Sequence, residues 1–497
     1  MIKHIIINII SILFLLPLYT KGAEKDSLII IPENTYNNPA INFYRYSNSY
    51  SGVDMSFLTN DNNAYIMQQG KGENMMKVVA YSWIPLNANN KIWGKASYRN
   101  STKKSVTWNE TSDAHLLYPY IMADSVGGDL YGQTYSFEGG YAFKKNNIVV
   151  GASIAYRAAI EYRNIDPRPR NIISDLNVTG GIAWNMPTYI LGASASYSGY
   201  NQKNDVDFYS QLGNAYIYTM TGLGNTYTRF DGTRTTSEYN GNTLNLSFQL
   251  RPVKYTGIWA NAIYEVSNTT KRLTTENNIP LTVMNEQKFS IDATWLTIIN
   301  DCHKIGININ SEILKRNGKE NLFNSGNGSS MEIIGNRNPY NEDRIKYGLQ
   351  FLYSYPINQN YTINLKPTAE QYNMDMAHID NNRRMEFKRS SLGAIIANNI
   401  SLKKWSLNVN AAAYYQPVTS SLLNIEGITD SGIEKMIRNN FNVLTTNRNT
   451  LLVSANAIIP IKIYKSTIET GIQYRIEKYI NNLGNNNNLE MNLGIHF

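Results

Sequence analysis

The chain closes on Asn488-Leu489-Glu490-Met491-Asn492-Leu493-Gly494-Ile495-His496-Phe497, a decapeptide that alternates polar and apolar without an error. Asn488, Glu490, Asn492, Gly494 and His496 fall on one face of an extended chain, and Leu489, Met491, Leu493, Ile495 and Phe497 on the other. Successive side chains of a strand point to opposite sides, so the run offers one wholly apolar face and one wholly polar face. A strand between hydrocarbon and a wet lumen needs both. A helix would need apolar residues at three- and four-residue spacing, which this run lacks.

The same period returns along the chain. Leu244, Leu246, Phe248 and Leu250 stand opposite Thr243, Asn245, Ser247 and Gln249; Trp405, Leu407, Val409, Ala411, Ala413 and Tyr415 stand opposite Lys404, Ser406, Asn408 and Asn410. Tyr361–Glu370 and Thr467–Ile476 read in the same way. Counting such segments gives an all-β transmembrane antiparallel β-barrel of about 18 strands, with 14 or 16 as alternatives, each about nine to fourteen residues long. Connections alternate in length. Short ones fall at Lys144–Asn147, Asn185–Pro187, Pro252–Thr256 and Pro356–Gln359, and long ones at Asn100–Leu130, Asn201–Gly241, Asn268–Gln287, Arg316–Arg344 and Gln416–Arg448. Short periplasmic turns and long extracellular loops are the asymmetry expected of a bacterial barrel, and an even strand number leaves both ends in the periplasm.

At the other end, Lys3 and His4 precede the apolar run Ile5–Leu18, and Thr20-Lys21-Gly22 supplies small residues where a signal peptidase cuts. We therefore divide the chain into a cleaved signal peptide over 1–22, a periplasmic N-terminal segment over 23–51 that is a candidate lumen plug, and the barrel over 52–497. The expected location is the outer membrane of a Gram-negative bacterium. Composition agrees: Tyr outnumbers Phe 36 to 14, as in the aromatic girdles of barrels, and the mean hydropathy of −0.37 reflects wet lumen faces and loops. The net charge of +8 is dispersed along the chain, which argues against nucleic acid and for anionic lipid headgroups and lipopolysaccharide as surroundings. Cys302, the single cysteine, rules out an internal disulfide and is placed in a tight turn.

Two resemblances add to this reading. Asn38-Pro39-Ala40, followed by Phe43, Tyr44, Tyr46 and Tyr50, resembles the Asn-Pro-Ala signature of the long-chain fatty acid transporter barrels, where an N-terminal segment plugs the lumen. It implies that Asn38, Pro39 and Ala40 lie against the inner wall or tuck into the lumen. Leu117-Tyr118-Pro119-Tyr120, Ala123-Asp124-Ser125-Val126-Gly127-Gly128-Asp129 and Asp166-Pro167-Arg168-Pro169-Arg170-Asn171 are similar to an uncharacterised family of outer-membrane β-barrel proteins. That resemblance implies a barrel and supplies neither substrate nor catalytic residues.

Chemistry has few places to sit. No cofactor is expected and no metal site, since the histidines do not cluster with Cys or carboxylates at ligand spacing. Asp124 and Asp129, separated by two glycines, could hold calcium, but nothing matches an EF-hand. Arg168 and Arg170 alternate with prolines on a stiff segment that either grips an anion or folds inward onto the barrel wall. Asp375, His378 and Asp380 bring carboxylates near an imidazole, and barrel proteases of the omptin type use such rim pairs, but the spacing differs here. The remaining candidates line the lumen: Arg157, Glu161, Lys366, Glu370, Lys404, Glu469, Arg475 and Glu490. Their mixed signs suit a general aqueous passage or salt-bridge bracing around a plug rather than a strongly selective ion pore. The reading is a non-enzymatic passive channel for a small polar or amphipathic solute. The alternative is a structural barrel with a plugged lumen whose loops bind a glycan or a surface lipoprotein, and a rim hydrolase comes third. The closing strand with Phe497 is the element expected to engage the outer-membrane assembly machinery.

Overall fold

The two-residue period closes into a ring. A computed structural model describes residues 33–497 apart from 211–214, 233–235, 301, 325, 327–330, 403–404 and 462–465. The expected signal peptide lies outside the described residues. Among them, nineteen segments form one antiparallel sheet. Trp405–Gln416 and Val418–Asn424 both pair with Arg383–Leu402, so they are one strand broken at Pro417, which has no N–H for the ladder, and the barrel has 18 strands. The first strand, Tyr50–Asn62, pairs with the last, Asn485–His496, from Gly52 opposite His496 to Asn62 opposite Asn486. Closure leaves no backbone edge for lipid to face.

Apolar side chains of the alternating faces point outward. Phe137, Ile154, Val178, Phe248, Leu349, Leu392, Met491, Leu493 and Ile495 are exposed on this surface, while His496 and Ser247 are buried inside. The band ends where charges return to the outside: Arg384 holds Asp375 at 2.6 Å and Glu386 at 3.1 Å, and Lys388 lies 3.8 Å from Glu386. Two-residue turns such as 146–147 and 359–360 gather at the end that holds Phe497 and the start of the first strand, and the long connections lie at the other.

Most strands are longer than the expected nine to fourteen residues, and the set runs from 12 in Asn485–His496 to 26 in Ile333–Asn358. Two expected long loops are largely strand. Asn268–Gln287 is a hairpin whose partners extend to Leu273 and from Ile279, and Arg316–Arg344 is a tall hairpin built by His303–Phe323 and Ile333–Asn358. Gln416–Arg448 contains a helix, Ser431–Thr445.

Candidate functional site

The N-terminal segment forms a stopper against the inner wall near the terminal end. Pro39–Asn42 is one helical turn with Asn38 as its cap: the Asn38 Oδ1 accepts from the Ala40 N–H at 2.9 Å, and Pro39 sits where no helical N–H is needed. The Asn38 Nδ2 donates to Gln249 Oε1 on the wall at 2.9 Å. Ala40, Ile41 and Phe43 pack on Ala142, Val149, Ala183 and Ile190. Glycines on three adjacent strands make room for this turn. A Cβ on Gly151 would lie 2.7 Å from the Pro39 carbonyl carbon, one on Gly192 would lie 2.8 Å from Ile41 Cγ1, and one on Gly181 would collide with Asn38 Oδ1. Lys91 Nζ donates to the carbonyls of Phe43 and Tyr46, both at 2.8 Å, and lies 4.5 Å from the centre of the Phe43 ring. Arg251 stands over Tyr36 and Tyr44, both at 5.6 Å, and over Trp259 at 5.3 Å. The stopper is thus held by burial, backbone acceptance and cation–π contact rather than by ion pairs.

The opposite mouth carries a lid. The connection 107–127, the segment Ile217–Gly222 with its neighbours, and the helix Ser431–Thr445 fold inward and share one apolar core: Trp108, Leu117, Ile121, Met220, Leu223, Ile433, Met436 and Ile437 pack together and on wall residues including Ile173, Tyr200, Tyr239, Met385 and Phe387. Asp430 starts the helix by accepting from the N–H groups of Gly432 at 2.8 Å and Ile433 at 3.1 Å. Polar ties fix the lid to the barrel. Arg163 holds Asp124 at 2.9 Å with both side chains fully buried. Arg316 donates to the Tyr118 carbonyl at 2.8 Å and bridges to Glu286 at 2.5 Å, and Arg383 donates to the carbonyls of Leu223 and Glu426. Asn171 and Asn204 both donate to the Glu110 carbonyl at 2.9 Å. The Glu110 carboxyl is wholly buried beside the Asp124 carboxyl. Burial first, and the Asp124 charge second, push its pKa well above the usual carboxylate range.

Between stopper and lid the lumen is asymmetric. On one side long side chains brace each other: Lys288 with Glu265 at 2.9 Å, Lys346 with Glu370 at 3.0 Å, and Arg344 with Glu342. On the other, small uncharged residues such as Ser153, Asn177, Ser194, Ser196, Ser198 and Thr243 leave a cavity of about 920 Å³. Its boundary also includes the stopper, an aromatic corner of Tyr46, Tyr50, Tyr81, Trp83 and Trp93, and the charged residues Asp54, Lys95, Glu138 and Glu265.

The sequence-read residues divide as follows. Asn38, Pro39 and Ala40 are buried in the stopper. Arg157 pairs with Asp113 of the lid at 2.8 Å and with Asp175 at 3.5 Å, Glu161 with Lys103 at 2.6 Å, Glu370 with Lys346, and Glu469 lies 3.4 Å from His496 Nε2. Arg475, Glu490 and Lys366 lie on the lumen face of their strands, and Lys404 falls outside the described residues. Arg168 does not fold inward onto the wall: it pairs with Asp166 of its own turn at 2.8 Å and stands 4.3 Å from the Tyr209 ring centre, while Arg170 is exposed. The rim pair does not assemble. Asp375 is engaged by Arg384 on the outside, whereas His378, three residues on and therefore on the other face, is buried inward 4.0 Å from Glu320. Asp124, considered for calcium, is taken up by Arg163, and Asp129 accepts from the Ser105 N–H at 2.8 Å. The buried residues Glu110 and Arg163 at the lid, the anchors Lys91 and Arg251, and the aromatic corner escaped sequence reading. The available signal was Arg251 and Lys91 beside short turns, where a strand-end cation reaches the lumen mouth.

The fold and its closures define a barrel of the outer-membrane type, stoppered within and lidded without. The chain belongs to a family of unknown function (DUF6850), whose model matches residues 39–497. Solved structures similar to it include the ferric preacinetobactin receptor BauA of Acinetobacter baumannii, at 8% identity over 91% of this chain and 80% of that one with a TM-score of 0.41. The outer-membrane transporter YddB of Escherichia coli is similar at 9% identity over 91% and 81% with a TM-score of 0.41. The unliganded ferric citrate transporter FecA is similar at 8% over 90% and 78% with a TM-score of 0.40. Comparison with curated proteins found no match.

Proposed function

We propose that this chain is an outer-membrane passive transporter for a small polar or amphipathic solute, closed on its outer side until the lid parts. The observation that carries the reading is the polar cavity of about 920 Å³ in the lumen, on a wall of small side chains that larger ones could have filled. Lumen residues act as walls rather than catalysts, because the Asp375 and His378 side chains point apart. In this reading the barrel sits among outer-membrane lipids and lipopolysaccharide, and the assembly machinery engages the strand that ends in Phe497. Planar-bilayer recording tests it. The refolded chain should be mostly silent, and a variant in which residues 425–447 are replaced by a short Gly-Ser turn should give discrete ion steps, larger when residues 23–49 are also removed. Silence of all three would overturn the reading.

One observation favours a second reading, a surface barrel that binds a lipoprotein or glycan. The tall hairpin rises above the rim and presents Ile333 at 48% and Ile334 at 69% exposure, apolar groups with nothing to cover them among the described residues. Photo-crosslinking from position 334 in intact cells would yield a discrete adduct under this reading and none under the first.

A further inference from the structure

We infer that the lumen cavity takes an uncharged polyhydroxyl solute, a saccharide of one or two rings, held between the aromatic corner and the wall of hydroxyls and amides. The inference rests on the transport reading for the route by which the solute arrives. A sugar ring has two unlike surfaces: C–H groups on its faces, which pack on aromatic rings, and hydroxyls on its rim, which donate and accept. The cavity has the same two surfaces. Tyr46 stacks on Tyr50 with centres 4.8 Å apart and meets Trp83 edge-on at 5.8 Å, Trp83 stacks on Trp93 at 5.1 Å, and Tyr50 lies 5.5 Å from Tyr81. Across from them, Asn177, Ser196, Ser198 and Asn245 face the cavity with groups that both donate and accept. A volume of about 920 Å³ is at the upper end of what small-molecule sites use, so two rings and their water fit.

Charge is what the cavity withholds. The charged residues on its border are engaged or opposed: Glu265 is held by Lys288 at 2.9 Å, Lys95 stands opposite Glu138 in the strand register, Asp54 lies 3.6 Å from His496 Nε2, and Arg45 lies over the rings of Tyr36 and Tyr46. The border carries both signs in near balance, Arg45 and Lys95 against Asp54 and Glu138, so a carboxylate or an ammonium entering the cavity would give up water for an attraction that a neighbouring like charge offsets. A site made of hydroxyl and amide partners discriminates instead by hydrogen-bond count, since a solute lacking hydroxyls leaves those partners unpaired.

The test uses the full chain in detergent, with saturation-transfer NMR and equilibrium dialysis against sucrose, glucose, glucuronate and glucosamine. Sucrose and glucose should bind saturably, and the two charged sugars at least tenfold more weakly. Tyr46→Ala and Ser196→Val, on opposite sides of the cavity, should each weaken sucrose at least fivefold, with Leu349→Val, on the outer face of the barrel, changing it little. A heat-shifted band on electrophoresis verifies that each variant is a closed barrel. Absence of saturable sugar binding, equal binding of charged sugars, or unchanged affinity in both Tyr46→Ala and Ser196→Val would overturn the inference. Ion steps from the lid-less variant without sugar binding would remove the saccharide and leave transport standing. Sugar binding with a silent lid-less variant would do the reverse.

Discussion

Filling the cradle beneath the stopper should release it while leaving the barrel intact. Gly151 and Gly181 lie on adjacent strands where a β-branched residue suits the backbone, so Gly151→Val with Gly181→Val does not oppose the sheet. It opposes the Asn38–Asn42 turn, because one Cβ would fall 2.7 Å from the Pro39 carbonyl carbon and the other would collide with the Asn38 side chain. Docking of the turn draws on the full burial of Ile41, worth about 2–3 kcal/mol, and on two hydrogen bonds of Asn38 at about 1 kcal/mol each. Overpacking costs about 1–3 kcal/mol per site where the neighbours cannot yield. The two substitutions therefore offset most of the docking energy. Hydrogen exchange reads this directly: the amides of Asn42, Tyr44 and Arg45, which donate to Asn38, Ile41 and Asn42, should lose up to about a thousandfold of protection, with strand amides unchanged. Unaltered exchange over 38–45 in the double variant would refute the account of how the stopper is held.

Four further outcomes follow. Arg163→Ala leaves Asp124 buried and uncompensated, so the lid should loosen by about 3–5 kcal/mol and residues 107–127 should become open to proteinase K in proteoliposomes. Glu110 keeps its proton in the closed lid where the open lid has lost it, so closure is strongest below the ordinary carboxyl range. Each pH unit above that range should cost up to about 1.4 kcal/mol until the buried group itself ionises. Protease sensitivity of the lid should rise as the pH is raised above the ordinary carboxyl range, and Glu110→Gln should flatten the dependence. On the lipid face, Leu493→Lys should lower barrel stability by about 2–4 kcal/mol in urea titrations from vesicles, whereas Asn492→Lys, on the lumen face, should cost far less. Truncating Phe497, whose backbone exchanges hydrogen bonds with Ser51 at 2.8 and 3.3 Å, should reduce the heat-shifted, folded fraction recovered from outer membranes.

The barrel was legible because hydrocarbon and lumen water impose opposite demands on alternate residues, and Asn488–Phe497, Thr243–Leu250 and Trp405–Tyr415 record both. Above the membrane that constraint ends. In Asn317-Gly318-Lys319-Glu320-Asn321 and Asn336-Arg337-Asn338 both faces carry polar residues, the inner ones such as Glu320 being buried as polar partners rather than as apolar packing, so the alternation disappears and a sequence reader sees loop where the backbone still pairs Glu320 with Arg337. The lid was hidden for a different reason. Its core joins residues from connections far apart in the chain, and none of them is long enough to announce a domain. The helix was readable in part, since Ile433, Met436, Ile437 and Leu444 recur at helical spacing behind the capping Asp430. The Arg163–Asp124 pair and the cavity arise from closure of the ring and have no local signal at all.

Because the lid draws one of its three pieces from the stretch between the fifteenth and sixteenth strands, it has no complete partner set until nearly the whole polypeptide has emerged. Insertion and plugging are therefore separate events in time. Until its last piece arrives the cylinder is closed by the stopper alone, at one end.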